Sequence, residues 1–423
     1  MSVLPWHLLP DSSSLGAHDD LLIAGCDLDA LAAEFGTPLF VYDEAHLRAR
    51  CREAVAAFGE GVAYAAKAFL CTAMARLVDE EGMQIDVASG GELHVALTAN
   101  VPASRLILHG NNKSDEELIR ARDVGIGRIV VDSFDELDRL DGMHAADGVA
   151  PKILLRITPG IEAHTHEYVM TGQDDSKFGF GLASGDAARA VDRAIASEAV
   201  ELVGIHAHIG SQVFVAGFFE QAIDVLAPFV NPLDLEELSI GGGLGVAYVE
   251  GESAPTITEW GEVVARACEN FGITARVSAE PGRAIAAAAA VTLYRVGTVK
   301  RLPGIRTYVG VDGGFVDNPR PALYGSGYET FLPRMVTAER SDTIRLVGKN
   351  CESGDVIVHA GKVPTELIVG DVLATPVTGA YGHSMGSNYN KLPRPAVVFC
   401  LDGNARLVVR RETDEDLIRT DVI

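Results

Sequence analysis

No two cysteines in this chain stand at the Cys-x-x-Cys spacing of a zinc or redox motif: Cys26, Cys51, Cys71, Cys268, Cys351 and Cys400 are scattered along it. Neither a metal site nor a disulfide framework is expected, and reduced thiols fit a cytoplasmic protein. Basic runs are also missing. With 35 Lys and Arg against 59 Asp and Glu, the formal charge of -24 is relieved by no local cluster of positive charge. Such a surface repels nucleic acid and anionic lipid, so neither is expected as a partner and the charge is read as solubility. No stretch reaches the ~18 apolar residues of a membrane span. The opening MSVLPWHLLPDSSS has no basic segment leading into an apolar run, so no targeting signal is expected. No internal repeat of fixed period is visible.

What is present is length and apolar content: 423 residues at 48% hydrophobic suffice for two packed cores. From about 38 to 285, short β-branched or apolar runs alternate with longer segments of helical period, the pattern of repeated βα units. Strands are expected at 62–66, 85–88, 105–108, 127–131, 152–157, 202–207, 237–240 and 276–279. Eight is the number of a closed (β/α)8 barrel. Leu47, Cys51, Val55 and Phe58 recur on one helical face. Ser114 with Glu117, and Ser133 with Glu136, have the spacing of capping boxes. The stretch 158–181 is too long for a plain connection and is a candidate lid or binding loop. After about 290, runs such as VTLYRVGTVK, TIRLVGKNC and ARLVVRR alternate with turn residues, which indicates an all-β second domain. Asp402-Gly403 is a hairpin signal within it, and the alanine run 284–290 is read as a buried packing segment.

A barrel collects its chemistry at the C-terminal ends of its strands. Those positions here carry Lys67, the 86–89 stretch, His109, Arg156, His208, Gly241 to Gly243 and Glu280. Singly, each has a plain alternative: a surface lysine, a core histidine, a tight glycine turn. Together they match one cofactor. A neutral lysine amine can bond to an aldehyde carbon, glycine N–H groups can approach a phosphate closely, and an acid can keep a pyridine nitrogen protonated. A histidine can lie on the ring face. The set describes pyridoxal 5'-phosphate better than a bare phosphate.

The motifs resemble those of the fold-type III pyridoxal-phosphate decarboxylases, and within them the diaminopimelate decarboxylases. In order they are YAAKAF around Lys67, DVASGGE at 86–92, HGNNK at 109–113, HAHIGSQ at 206–212, GGGLG at 241–245 and EPGR at 280–283. DNPRPALYG at 317–325, CESGD at 351–355 and GAYGHSMGSNYN at 379–390 continue the series. The chain looks short beside many relatives around 249–260, and Phe69 stands where many of this fold type carry Asn.

The resemblance implies an α/β architecture, an eight-stranded (β/α)8 TIM-type barrel over 38–285 followed by a mostly antiparallel β-domain made of 1–37 and 286–423. It implies that Lys67 anchors the cofactor, with Asp86, His208, Ser211, Gly242, Gly243, Glu280, Gly282, Arg283 and Tyr381 around it. Cys351 would be the proton donor, supplied by the second subunit of a homodimer. Arg283, Arg320, Tyr324, Glu352 and Tyr381 would bind the substrate, with arginine reading a distal carboxylate and Glu352 a distal amine. That pair selects meso-2,6-diaminopimelate, giving L-lysine and carbon dioxide at the last step of lysine biosynthesis. Three alternatives are a sister decarboxylase of a basic amino acid or carboxynorspermidine, which would lack the Arg320 clamp; a racemase, whose family carries arginine where Glu280 stands; and a non-catalytic cofactor-binding homologue.

Overall fold

The computed structural model describes residues 4–161 and 175–422. It divides into two compact units, Arg50–Val246 with Ala254–Ala284, and Met1–Ala49 with Ala247–Ser253 and Ile285–Ile423. No helix among the described residues is long and apolar enough to cross a membrane.

The first unit is a parallel barrel. Its strands are Ala63–Ala65, Gln84–Val87, Leu106–Leu108, Arg128–Val131, Lys152–Thr158, Glu201–Ala207, Glu237–Ser239 and Arg276–Ser278, each paired with its neighbour in sequence. Main-chain bonds close the ring, with Ala63 N–H donating to Ala279 O at 2.9 Å and Ala65 N–H to Pro281 O at 3.3 Å. Ala63, Ile107, Val130, Leu154 and Val203 form one buried cluster, so the interior is filled and the polar chemistry is left to the strand ends. The eight expected strands are all found, within a residue or so at each end.

Of the two expected capping boxes, one forms in full. Ser114 and Glu117 form a complete capping box at the head of Asp115–Asp123. Ser133 accepts from Glu136 N–H as expected, but the Glu136 carboxylate does not return to Ser133. It accepts instead from Asp132 N–H at 3.1 Å and pairs with Lys113 Nζ at 2.8 Å. A buried lysine ammonium outcompetes a single N–H for that carboxylate.

The second unit is built on an eight-stranded mixed sheet. Its long strand Ala290–Leu302 pairs antiparallel with Leu39–Asp43, Arg306–Val311 and Val372–Pro376. Leu39–Asp43, at the start of the expected barrel, is therefore a strand of this sheet. All five of its residues are buried, and a continuously apolar run looks the same in either sheet. Leu21, Ile23, Leu28, Val41, Leu293, Phe331 and Val398 belong to its main apolar cluster. The hairpin joining Ala396–Leu401 to Asn404–Val409 turns at Asp402 and Gly403, whose φ angles of 49° and 75° are those the Asp-Gly pair favours. The alanine segment is mostly buried: a Cβ on Gly379 would stand 1.9 Å from Ala286 O, so the two backbones are in direct contact.

Candidate active site

Lys67 sits in the single turn Ala66–Ala68 that follows the first barrel strand. Its side chain is exposed while Ala66 and Ala68 are buried. Gly282 explains why that turn lies beside the segment carrying the acid. A Cβ there would come 2.9 Å from Ala65 O and 3.1 Å from Ala68 Cβ.

Glu280, just past the last barrel strand, is 6% exposed. Ser239 Oγ donates to its Oε1 at 2.8 Å, and His206 Nε2 lies 3.1 Å from its Oε2. His109 packs edge-on against His206, with ring centroids 4.9 Å apart. Its Nε2 is 3.6 Å from both Asp86 Oδ1 and Glu280 Oε1. Burial alone would raise the Glu280 carboxyl, but His206 and His109 beside it, with the bonds from His206 and Ser239, hold it well below the usual carboxylate range. Burial, and then the charge on Glu280, push Asp86 well above that range. The same surroundings thus push the two carboxyls in opposite directions. The donor atoms of His109, His206 and Glu280 all lie within 4.8 Å of one another, close enough to hold an ion, and both Glu280 oxygens already accept bonds from His206 and Ser239.

His208 is fixed by Gly242 N–H, which donates to its Nδ1 at 3.2 Å, leaving the ring proton on Nε2. Burial, followed by the positive charges of Lys67 and Arg156, lowers its pKa well below the ordinary value, so the ring is neutral. The glycines after the seventh strand are packed too tightly for side chains. A Cβ on Gly242 would stand 2.2 Å from Glu280 O, and one on Gly243 2.2 Å from Gly210 O. Arg283 donates from Nη2 to Ser211 Oγ at 3.0 Å, placing a cation and a hydroxyl beside this glycine loop.

These residues fit pyridoxal phosphate. An ionised acid, Glu280, suits a protonated pyridine nitrogen, and neutral His208 suits a ring face. The glycines, Ser211 and Arg283 suit a phosphate, and exposed Lys67 suits an aldehyde. Of the expected lid, residues 162–174 lie outside the described residues. Its described part is anchored, since Phe180–Gly181 pairs with the fifth strand and Arg156 lies 4.3 Å above the Phe178 ring.

The second unit holds the other expected residues. Arg320 is 4% exposed, 3.8 Å above the Tyr248 ring and 5.6 Å from that of Tyr328. It donates to Tyr328 OH at 3.3 Å and Ser326 Oγ at 3.1 Å, and among the described residues its electrostatic partners are tyrosines rather than carboxylates. Tyr324 and Tyr381 are half-buried, and Tyr381 has a φ of 61°, a conformation that costs a non-glycine residue about 1 kcal/mol or more and concentrates at functional sites. Cys351 is exposed; its N–H donates to Asn390 Oδ1 at 2.9 Å. Glu352 accepts from the Tyr389 hydroxyl.

The sequence reading did not single out Ser239, Tyr248, Tyr328, Asn390 or Asp355. For Ser239 a signal existed, because it is the last inward position before GGGLG. The aromatic neighbours of Arg320 lie about 70 residues and 8 residues away in sequence, and no local period links them to it.

Comparison with known proteins agrees with this chemistry. The family model described as "Pyridoxal-dependent decarboxylase, pyridoxal binding domain" matches residues 44–287. The diaminopimelate decarboxylase of Mycobacterium tuberculosis is 48% identical, over 95% of this chain and 94% of the relative. That of Bacillus subtilis is 44% identical over 98% of each. The crystal structure of diaminopimelate decarboxylase from M. jannaschii in co-complex with L-lysine superposes with a TM-score of 0.91 at 32% identity, covering 98% of both chains. By these matches, the chain belongs to the pyridoxal-dependent decarboxylases, in the diaminopimelate decarboxylase family.

Proposed function

We propose that the protein removes carbon dioxide from meso-2,6-diaminopimelate to give L-lysine, the last step of lysine biosynthesis, as a cytoplasmic homodimer using pyridoxal phosphate. The observation that carries this reading is Glu280, buried and held ionised at the end of the barrel that bears Lys67. Bound pyridoxal phosphate supplies the sink for the electron pair left when carbon dioxide departs. Lys67 would hold the cofactor through its side-chain amine. Glu280 keeps the pyridine nitrogen protonated, and His208, held by Gly242, supports the ring face. Asp86, Ser211, Gly242, Gly243, Gly282, Arg283 and Tyr381 complete the cofactor's surroundings.

In this reading Arg320, with Arg283, Tyr324 and Tyr381, binds the substrate's distal carboxylate. A buried guanidinium without a protein carboxylate suits that role, because its planar fork matches a carboxylate's two oxygens. Glu352 binds the distal ammonium. Cys351 returns a proton to the α-carbon of a second subunit's substrate, and its exposure on the single chain is consistent with service outside its own subunit.

The test is to add meso-diaminopimelate to the purified protein and quantify lysine and carbon dioxide, with the visible band recorded before and after borohydride. Lysine production and a band missing from Lys67→Ala support the reading. The same band with carbon dioxide released only from another amino acid would move the substrate to a sister decarboxylase.

A further inference from the structure

The turn that carries Cys351 and Glu352 is exposed, yet its foundation is buried. Asp355, 3% exposed, accepts Phe315 N–H on Oδ1 at 2.7 Å. Its Oδ2 accepts Asn350 N–H at 2.9 Å and Asn350 Nδ2 at 2.7 Å. Lys349 N–H donates to Gly313 O at 2.9 Å, so two separate segments are fastened around one carboxylate. Gly314 and Gly348 are glycines for the same reason, since a Cβ on either would stand 2.4 or 2.2 Å from Asp355 Oδ2. Within the turn, Glu352 N–H donates to Asn350 O at 2.8 Å and Asp355 N–H to Glu352 O at 3.2 Å.

A third segment braces the turn from its exposed side. Asn390 Oδ1 accepts Cys351 N–H at 2.9 Å, the Tyr389 hydroxyl donates to Glu352, and the Tyr389 ring lies 5.6 Å from that of Phe315. Asn390 adopts a φ of 56° to present its amide there. The main chain of residues 350–355 is thus held on two sides, while the Cys351 thiol stays exposed. Burying a carboxylate and twisting an asparagine under a surface turn is costly. Reactive groups gain from such rigidity, because a displacement of about 1 Å can cost on the order of a hundredfold in rate.

We propose that Asp355 and Asn390 are positioning residues that set the Cys351 turn for proton delivery, Asp355 from beneath and Asn390 through the Cys351 N–H. The proposal rests on the reading of Cys351 as proton donor. In that step the Cys351 S–H bond breaks, a C–H bond forms at the α-carbon vacated by carbon dioxide, and the thiolate recovers a proton from solvent.

The experiment compares Asn390→Ala, Asn390→Asp, Asp355→Asn and Cys351→Ala as cofactor-loaded proteins, measuring kcat, KM and the solvent deuterium isotope effect on kcat. Asn390→Ala should lower kcat about tenfold or more with KM within about threefold, and enlarge the isotope effect as proton delivery becomes limiting. Asn390→Asp, which keeps the acceptor, should restore most of the loss. Asp355→Asn should show the same split, and if it does not fold the Asn390 pair decides alone. If Cys351→Ala is severely impaired while Asn390→Ala has wild-type kcat and isotope effect, the positioning role is overturned and the proton-donor reading stands. If Cys351→Ala itself keeps wild-type kcat, that reading falls and the proposal with it.

Discussion

Ser239 Oγ lies 2.8 Å from Glu280 Oε1, inside the barrel and 41 residues away in sequence. With His206 on the other oxygen at 3.1 Å, it gives the carboxylate a donor for each oxygen. These donors, with the nearby His109, offset the burial that would otherwise protonate Glu280. The consequence is a fixed negative charge where a pyridine nitrogen is to be held, present before any cofactor arrives.

Ser239→Ala should therefore weaken cofactor binding. A hydrogen bond to a charged acceptor contributes about 1.5–3 kcal/mol, which corresponds to roughly a 10- to 100-fold loss of affinity. Titration of the cofactor-free protein with pyridoxal phosphate, followed by its visible absorbance, measures this directly. Wild-type affinity in Ser239→Ala would show that His206 alone suffices.

Lys113 is a second buried charge, and its role is structural. At 2% exposed, its Nζ donates to Gly110 O at 2.8 Å and Val130 O at 2.6 Å and is ion-paired with Glu136 Oε1 at 2.8 Å. Lys113→Met should destabilise the fold by roughly 3–5 kcal/mol, because it leaves Glu136 buried without its counter-charge. Adding Glu136→Gln should recover part of that loss. Urea unfolding of the single and double variants checks both, and equal stability of the two would mean the pair is not coupled.

Most barrel strands were legible as short apolar runs followed by a polar residue, and Lys67, His208 and Glu280 were legible for the same reason. Where one strand's sheet membership had to be decided, local pattern failed. Leu39–Asp43 is apolar on both faces and reads equally as a first barrel strand or as a member of the mixed sheet. Side-chain partnerships across large sequence separations were hidden too: nothing near Glu136 announces that it will leave its capping box for Lys113. Tyr248 was hidden in the same way, since no local period links it to Arg320, against which its ring packs.

That packing makes a prediction for substrate recognition. Arg320→Lys retains the charge but loses the planar fork, and KM for diaminopimelate should rise by roughly 10- to 100-fold with a smaller change in kcat. Tyr248→Leu removes the ring 3.8 Å from the guanidinium. A cation–π contact of about 0.5–2 kcal/mol translates into an increase in KM of roughly 2- to 30-fold. Steady-state kinetics of the two variants decide, and an unchanged KM in Arg320→Lys would remove Arg320 from the carboxylate site.

Asp317, three residues before Arg320, titrates near neutrality. Burial, with Asp312 and Asp355 adding negative charge nearby, pushes its carboxyl up to about 7, while Gly314 N–H donates to Oδ2 at 3.1 Å. The folded chain therefore holds a proton that the unfolded chain releases from about pH 4 upward. Because the folded pKa is raised, the associated stability is fully present below that point and is lost as pH rises through about 7. Asp317→Asn mimics the protonated form at every pH and should remove this loss. Relative to wild type, the variant should gain roughly 2.5 kcal/mol of unfolding free energy between pH 5 and pH 8. Other groups that titrate in the window, such as Asp29 with its carboxyl raised by burial to about 6, are common to both proteins and cancel in the difference. Urea unfolding at the two pH values makes the measurement; a wild-type-minus-variant difference that stays constant would show that Asp317 is ionised in the fold throughout.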